Sequence, residues 1–201
     1  NFNTINVTGM YQMFYNCSKL TSLDLSSFDT SNVTRMTSMF EKCSGLKSLN
    51  VSSFKTGNVI SMQGMFASCS SLTSLDVSGF TTENIMSEGF SGDYGLYGMF
   101  QNCSNLSDLT LGKIQPQKST SMSYMFDGCK KLTNLDLSGF DTTYVHSFKG
   151  MFRSCSGFIS LDLSHFNTSA ADAFNNMFYG CAKLETLNVE NFDTSKAATM
   201  E

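Results

Sequence analysis

The chain has 201 residues, a net charge of −4, 15% charged residues and 41% apolar ones. That apolar share supports a packed core and excludes wholesale disorder, while the sparse, mildly acidic charge argues against a nucleic-acid or polybasic membrane surface. No apolar run is long enough to span a bilayer, and the start of the chain lacks the basic and apolar stretches of a signal peptide.

One Pro, no Trp, 13 Met, 18 Phe and 7 Cys have a single cause, internal repetition. Cys17, Cys43, Cys69, Cys103, Cys129, Cys155 and Cys181 are separated by 26, 26, 34, 26, 26 and 26 residues. Each sits in a Met-Phe-x-x-Cys frame, beginning at Met13-Phe14 and ending at Met177-Phe178. An apolar residue follows three positions later (Leu20 in the first unit, Phe158 in the sixth), then an L-x-[LV] pair such as Leu23/Leu25 or Leu75/Val77. A second aromatic column runs through Phe2, Phe28, Phe54, Phe80, Ile114, Phe140, Phe166 and Phe192.

In chain order, the first complete unit predicts a short strand at 20–25, with Leu23 and Leu25 on one face and Asp24 on the other. Ser26 to Thr30 reads as a turn that drops Phe28 inward. Val33, Met36, Phe40 and Cys43 fall at i, i+3, i+7 and i+10, which predicts a helix over two to three turns, with Thr30 or Ser31 as its N-cap. The same elements recur in each later unit, and the alanines of 169–173 and 197–198 predict stronger helix in the last two. Strands one unit apart would stack in parallel at about 4.8 Å, and one unit cannot bury enough apolar surface to fold alone. The fold class is therefore an α/β repeat, a solenoid of about seven 26-residue coils. Short parallel strands form one face, and short helices or turns form the other. The single domain spans 1–201 and, lacking polar caps, reads as cut from a longer array.

Two places break the repeat. Ile85 to Met99 is eight residues longer than Val33 to Met39. This insertion, about 87–98, carries four Gly with Phe90, Asp93, Tyr94 and Tyr97, and it reads either as a recognition loop or as a tolerated insertion. Gly112-Lys113-Ile114-Gln115-Pro116 stands where other units have S-x-F-D-T.

The outward strand face gives a second candidate site: Ser22, Asp24, Asn50, Asp76, Asp136 and Asp162 form a polar, mildly acidic strip suited to sugars or a basic partner. Its other reading is a solvated face. Neighbouring Asp136 and Asp162 raise the question of Ca²⁺, but no calcium-loop motif occurs, and no metal or cofactor is expected. The seven Cys read as a core ladder of free thiols, since in-register side chains aim alike rather than at each other. His146 and His165 occupy unrelated slots, and no nucleophile elbow, phosphate loop or zinc-protease helix is visible, so no enzyme is expected.

The frame M-F-x-x-C-x-x-L-x-x-L-D-L-S-x-F-D-T-S-x-V-x-x-M, clearest at 39–56 and 125–142, resembles the 26-residue surface-protein repeat of the BspA-like leucine-rich-repeat family. The resemblance covers essentially the whole chain. It implies a right-handed, leucine-rich-repeat-like solenoid on a secreted or cell-surface microbial protein, associated with adhesion, with no catalytic motif to carry over. The expected function is non-catalytic binding of an extracellular protein or glycan by a monomer, through the strand face and the insertion. The alternative is a structural stalk with no ligand of its own. Neither nucleic acid nor membrane insertion by this segment is expected.

Overall fold

The structure is a computed structural model that describes residues 3–86 and 95–200. Each unit forms one rung of a stack, joined to the next by hydrogen bonds between residues about 26 apart. No helix occurs among the described residues, which corrects the expected α/β solenoid with helices.

The reason lies in the backbone between Val and Cys. Val33, Met36, Phe40 and Cys43 are all fully buried, as their spacing demands. But two residues four apart adopt left-handed backbone in every unit: Ser38 (φ 54°) and Lys42 (φ 62°), then Gly64 and Ser68, Gly98 and Asn102, Tyr124 and Gly128, Gly150 and Ser154, Asn176 and Gly180. A left-handed residue interrupts a right-handed helix, so the segment becomes a string of tight turns. The Met39, Glu41 and Cys43 N–H groups donate to the Met36, Ser38 and Phe40 carbonyls. The alternate donors cross to the next rung: Met36, Ser38, Phe40 and Lys42 N–H bond the carbonyls of Ser61, Gln63, Met65 and Ala67. These seven donors thus find partners without a helix. Consecutive three-residue turns bury nearly the same positions as a helix, so apolar spacing does not separate the two. The alanine-rich segment follows suit, with Ala171 N–H closing a turn onto Thr168 C=O.

Regular strand is sparse. β1 (Ser74–Val77) pairs in parallel with β2 (Asp108–Leu111), β3 (Thr120–Ser121) with β4 (Val145–Ser147), and β5 (Ser160–Asp162) with β6 (Thr186–Asn188). β1, β2, β5 and β6 lie at predicted L-x-[LV] positions, whereas β3 and β4 fall in segments expected to be helical. The β1–β2 register sets Leu75 against Leu109 and Asp76 against Thr110, so apolar and polar side chains keep to their own faces. No helix among the described residues is long and apolar enough to cross a membrane.

Three ladders of side chains hold the rungs together. The Met-Phe phenylalanines form one continuous stack: Phe14, Phe40, Phe66, Phe100, Phe126, Phe152 and Phe178 follow one another with ring centroids 5.5–6.1 Å apart. Beside it, each thiol from Cys43 onward donates to the carbonyl of the Phe one rung earlier, as in Cys69 Sγ to Phe40 O (3.2 Å) and Cys129 Sγ to Phe100 O (3.1 Å). The third ladder is threonine. Thr30 Oγ1 donates to Lys55 C=O at 3.0 Å and accepts from Lys55 N–H at 2.7 Å, and Thr4 and Thr168 do the same to Asp29 and Asp193. These buried hydroxyls bridge rungs, which corrects the reading of Thr30 as a helix cap.

All seven cysteines are free: Cys43 to Cys155 are buried, Cys181 is half-buried and Cys17 is exposed. Burial pushes the Cys43 thiol up to about 11 and the Cys103 thiol up to about 12. Since the thiolate is the reactive form, disulfide-exchange labelling of the native protein at pH 8 is expected to modify Cys17 first and Cys181 more slowly. The five buried thiols should react only under denaturant; labelling of Cys103 at the rate of Cys17 would contradict this packing.

Both breaks in the repeat are accommodated within the ladder. Met86 N–H donates to Ile60 C=O, and Met62 N–H donates to Gly95 C=O, so both Met86 and Gly95 join the ladder. Gly95 sits at φ 83°, and a Cβ there would collide with Thr120 Oγ1, so glycine is required at this point. At the second break Pro116 takes the slot of the bridging threonine. The Asp141 N–H that a hydroxyl would have received bonds Ile114 C=O at 2.8 Å instead.

Candidate ligand-binding face

The polar column of the strand face is built by turns. Leu25, Val51, Val77 and Leu137 are buried, so the alternation places their polar neighbours outward. Asp24, Asp76, Asp136 and Asp162 each use Oδ1 to accept the N–H two residues on, from Ser26, Ser78, Ser138 and Ser164, at 2.8–2.9 Å. Asn50 does the same with Ser52 N–H at 3.0 Å. Each aspartate thus closes a turn with one oxygen and presents the other outward. These bonds hold the carboxyls below their ordinary value. The Ser26 and Ser164 N–H groups lead at Asp24 and Asp162, and the Ser78 and Ser138 hydroxyls lead at Asp76 and Asp136. The charge on the column therefore persists into acid.

The face carries two shallow grooves. One, about 450 Å³, is lined by Ser48, Asn50, Ser74, Asp76, Asp108 and Thr110. The other, about 580 Å³, gathers Asn134, Asp136, Ser160, Asp162, Ile159 and His165. The structure thus brings Asn50 together with Asp76, and Asp136 with Asp162, while Ser22 and Asp24 stand one rung before the first groove.

His165 was not among the candidates, because its slot holds Ser, Gly, Lys or Asn in other units. Its Nε2–H donates to Leu137 C=O at 2.8 Å and its ring meets Phe166 edge-on at 5.0 Å. It lies close enough to lower Asp136 and Asp162 further. The repeat arithmetic alone could have found it, since 26 residues back from His165 lies Gly139, beside the Asp136 turn.

The insertion divides. Phe90, Asp93 and Tyr94 lie outside the described residues. Tyr97 belongs to the ladder: its carbonyl accepts from Gly64 N–H, and its half-buried ring meets Tyr124 edge-on at 5.5 Å. Residues 95–98 are therefore rung. Among the described residues, no three His, Cys, Asp or Glu side chains converge as metal ligands would.

These features define a tandem-repeat protein whose rungs are turns and short parallel strands, carrying a shallow, hydroxyl-rich and anionic face. The chain belongs to the family described as "Mycoplasma protein of unknown function, DUF285", which matches residues 1–92 and 94–201. This corrects the resemblance to the BspA-like leucine-rich-repeat family. In this fold the repeated frame codes short strands, paired left-handed turns and a phenylalanine stack, with no helix among the described residues. No curated protein matches the sequence.

Proposed function

We propose that this chain is a non-catalytic binding segment of a cell-surface or secreted protein, holding an extracellular protein or glycan on its polar strand face. The observation that carries this reading is the groove where Asp136, Asp162 and His165 converge beside the exposed Ile159. Its carboxylates are fixed in orientation by their own turns, so little side-chain entropy is lost when they bind. The groove is open, which suits hydrogen bonds to hydroxyls or an ammonium group better than a reaction that must exclude water. Recurrence of the same turn in the neighbouring groove offers a second contact to an extended partner, and linked weak contacts gain by effective concentration.

The test is a screen of the purified chain against extracellular matrix proteins, mucins and immobilised glycans, beside Asp136→Asn/Asp162→Asn and a variant lacking residues 87–94. Saturable binding that falls at least tenfold in the double variant is expected. Binding that survives there but is lost with the deletion would move the site to the insertion. Absence of saturable binding by the folded protein would replace this reading with a stalk.

A further inference from the structure

Away from the strand face, five successive rungs contribute to a second groove, of about 490 Å³. It is lined by the residues just before and just after each cysteine, among them Lys42, Ser68, Ser70, Asn102, Ser104 and Lys130, and no carboxylate lines it. The backbone N–H groups of Lys42, Ser68 and Asn102 are engaged by the next rung, so a ligand would meet side chains. Among the described residues, the hydroxyls of Ser68, Ser70 and Ser104, the amide of Asn102 and the Lys130 ammonium have no protein partner. At the other end the Lys42 ammonium is held in place. It donates to the Tyr15 hydroxyl, lies 4.8 Å from the centre of that ring and stands 3.7 Å from Glu41. An ammonium has three donors, so the Tyr15 bond leaves others for a ligand.

The two cations sit three rungs apart, roughly 15 Å at about 4.8 Å per rung, with only neutral hydroxyls and an amide between. That order of groups specifies its ligand. A polyphosphate would lay uncompensated charge over the neutral middle. A chain of sugars with acidic groups at intervals would place charge at the ends and hydroxyls in the middle, one sugar to about one rung. We propose that this groove binds a linear acidic glycan, with Lys42 and Lys130 taking its charged groups and Ser68, Ser70, Asn102 and Ser104 its hydroxyls.

The backbone supplies an internal check. Lys42 and Ser68 carry side chains on left-handed backbone (φ 62° and 60°), where Gly128 and Gly180 hold the same place in other rungs (φ 74° and 75°). Side chains are disfavoured in that conformation, and the glycines show that the slot accepts glycine. Ser68→Gly is therefore expected to bind glycan several-fold more weakly while raising the urea midpoint, a pairing that a purely structural role for Ser68 does not produce.

The experiment is calorimetric titration of the intact chain with a hyaluronan hexasaccharide, in which carboxylate-bearing and neutral sugars alternate, the neutral cellohexaose and a short inorganic polyphosphate. Saturable binding of the hyaluronan hexasaccharide, weakening with added salt, is expected. Lys130→Ala, which removes a side chain without protein partners and so leaves the fold intact, should weaken it at least fivefold, and Lys42→Ala/Lys130→Ala at least tenfold. Lys118→Ala, which removes an exposed cation that lines neither this groove nor the strand-face grooves, should leave it unchanged, which separates the groove's own lysines from net charge. Equal binding by the lysine variants, equal binding of cellohexaose, preference for polyphosphate, unweakened binding by Ser68→Gly, or no saturable binding of the hyaluronan hexasaccharide would each overturn the proposal.

Discussion

Phe126→Ala is expected to destabilise the chain by about 3–5 kcal/mol, the usual cost of emptying a buried phenylalanine site. The ring is fully buried and stacked on both sides, with Phe100 and Phe152 each 5.6 Å away and nearly parallel to it. Removing it takes an attractive partner from two interfaces at once and leaves a cavity between rungs. Stability in a repeat array is carried by nearest-neighbour interfaces, so the damage should also appear as lost cooperativity. The rungs before and after residue 126 would then unfold at different urea concentrations. Phe178→Ala is the control: that ring is half-buried and stacks on Phe152 alone, at 6.1 Å, so it should cost clearly less. Urea denaturation followed by circular dichroism and by reactivity of the buried thiols measures both quantities. Equal losses for Phe126→Ala and Phe178→Ala would show that the stack contributes only as separate buried side chains.

Much of this packing is legible in the sequence, because the 26-residue spacing puts like residues on like positions. The Met-Phe and Cys columns follow from that arithmetic, as does the alternation of Leu75 and Val77 with Asp76. The helix does not follow. Val33, Met36, Phe40 and Cys43 satisfy a helical period, yet Ser38 and Lys42 take left-handed backbone, and neither residue type announces it. Gly64 and Gly128 occupy the same two columns, and their recurrence in a would-be helix is the signal that could have been read. Thr30 was legible as a hydrogen-bonding residue but not by direction: its hydroxyl serves the next rung rather than its own turn. The same holds for the candidate face. The aspartate column is visible as a pattern, but the N–H groups that orient its carboxylates appear only once the chain turns at Ser78 and Ser138. The second groove was hidden for a related reason. Lys42 and Lys130 lie 88 residues apart and on opposite sides of their respective cysteines, so no single unit shows them as a pair.

Thr30→Val tests the threonine ladder, and a loss of about 2–3 kcal/mol is expected. Valine matches threonine in shape, so packing is kept and only the hydroxyl is removed. That hydroxyl satisfies two groups of one residue, the Lys55 carbonyl at 3.0 Å and the Lys55 N–H at 2.7 Å. A buried polar group left without a partner costs about 1–3 kcal/mol; the exposed Lys55 side chain lets water approach this edge of the rung, which places the pair in the lower half of the combined range. Thr30→Ser keeps the hydroxyl and should lose only about 0.8 kcal/mol for the missing methyl. The Pro116 rung shows how strongly the N–H needs an acceptor: with no hydroxyl present, Asp141 N–H is redirected to Ile114 C=O at 2.8 Å. In the parent rung Lys55 N–H is held by Thr30 itself at 2.7 Å, so in the valine variant this N–H must shift toward the Phe28 carbonyl, the counterpart of Ile114 C=O, to regain an acceptor. Hydrogen exchange at the Lys55 amide gives the direct readout, together with the urea midpoint. The amide should be protected in the parent chain and in Thr30→Ser and should exchange freely in Thr30→Val, whereas protection retained in the valine variant would mean that the rungs are joined without this bridge.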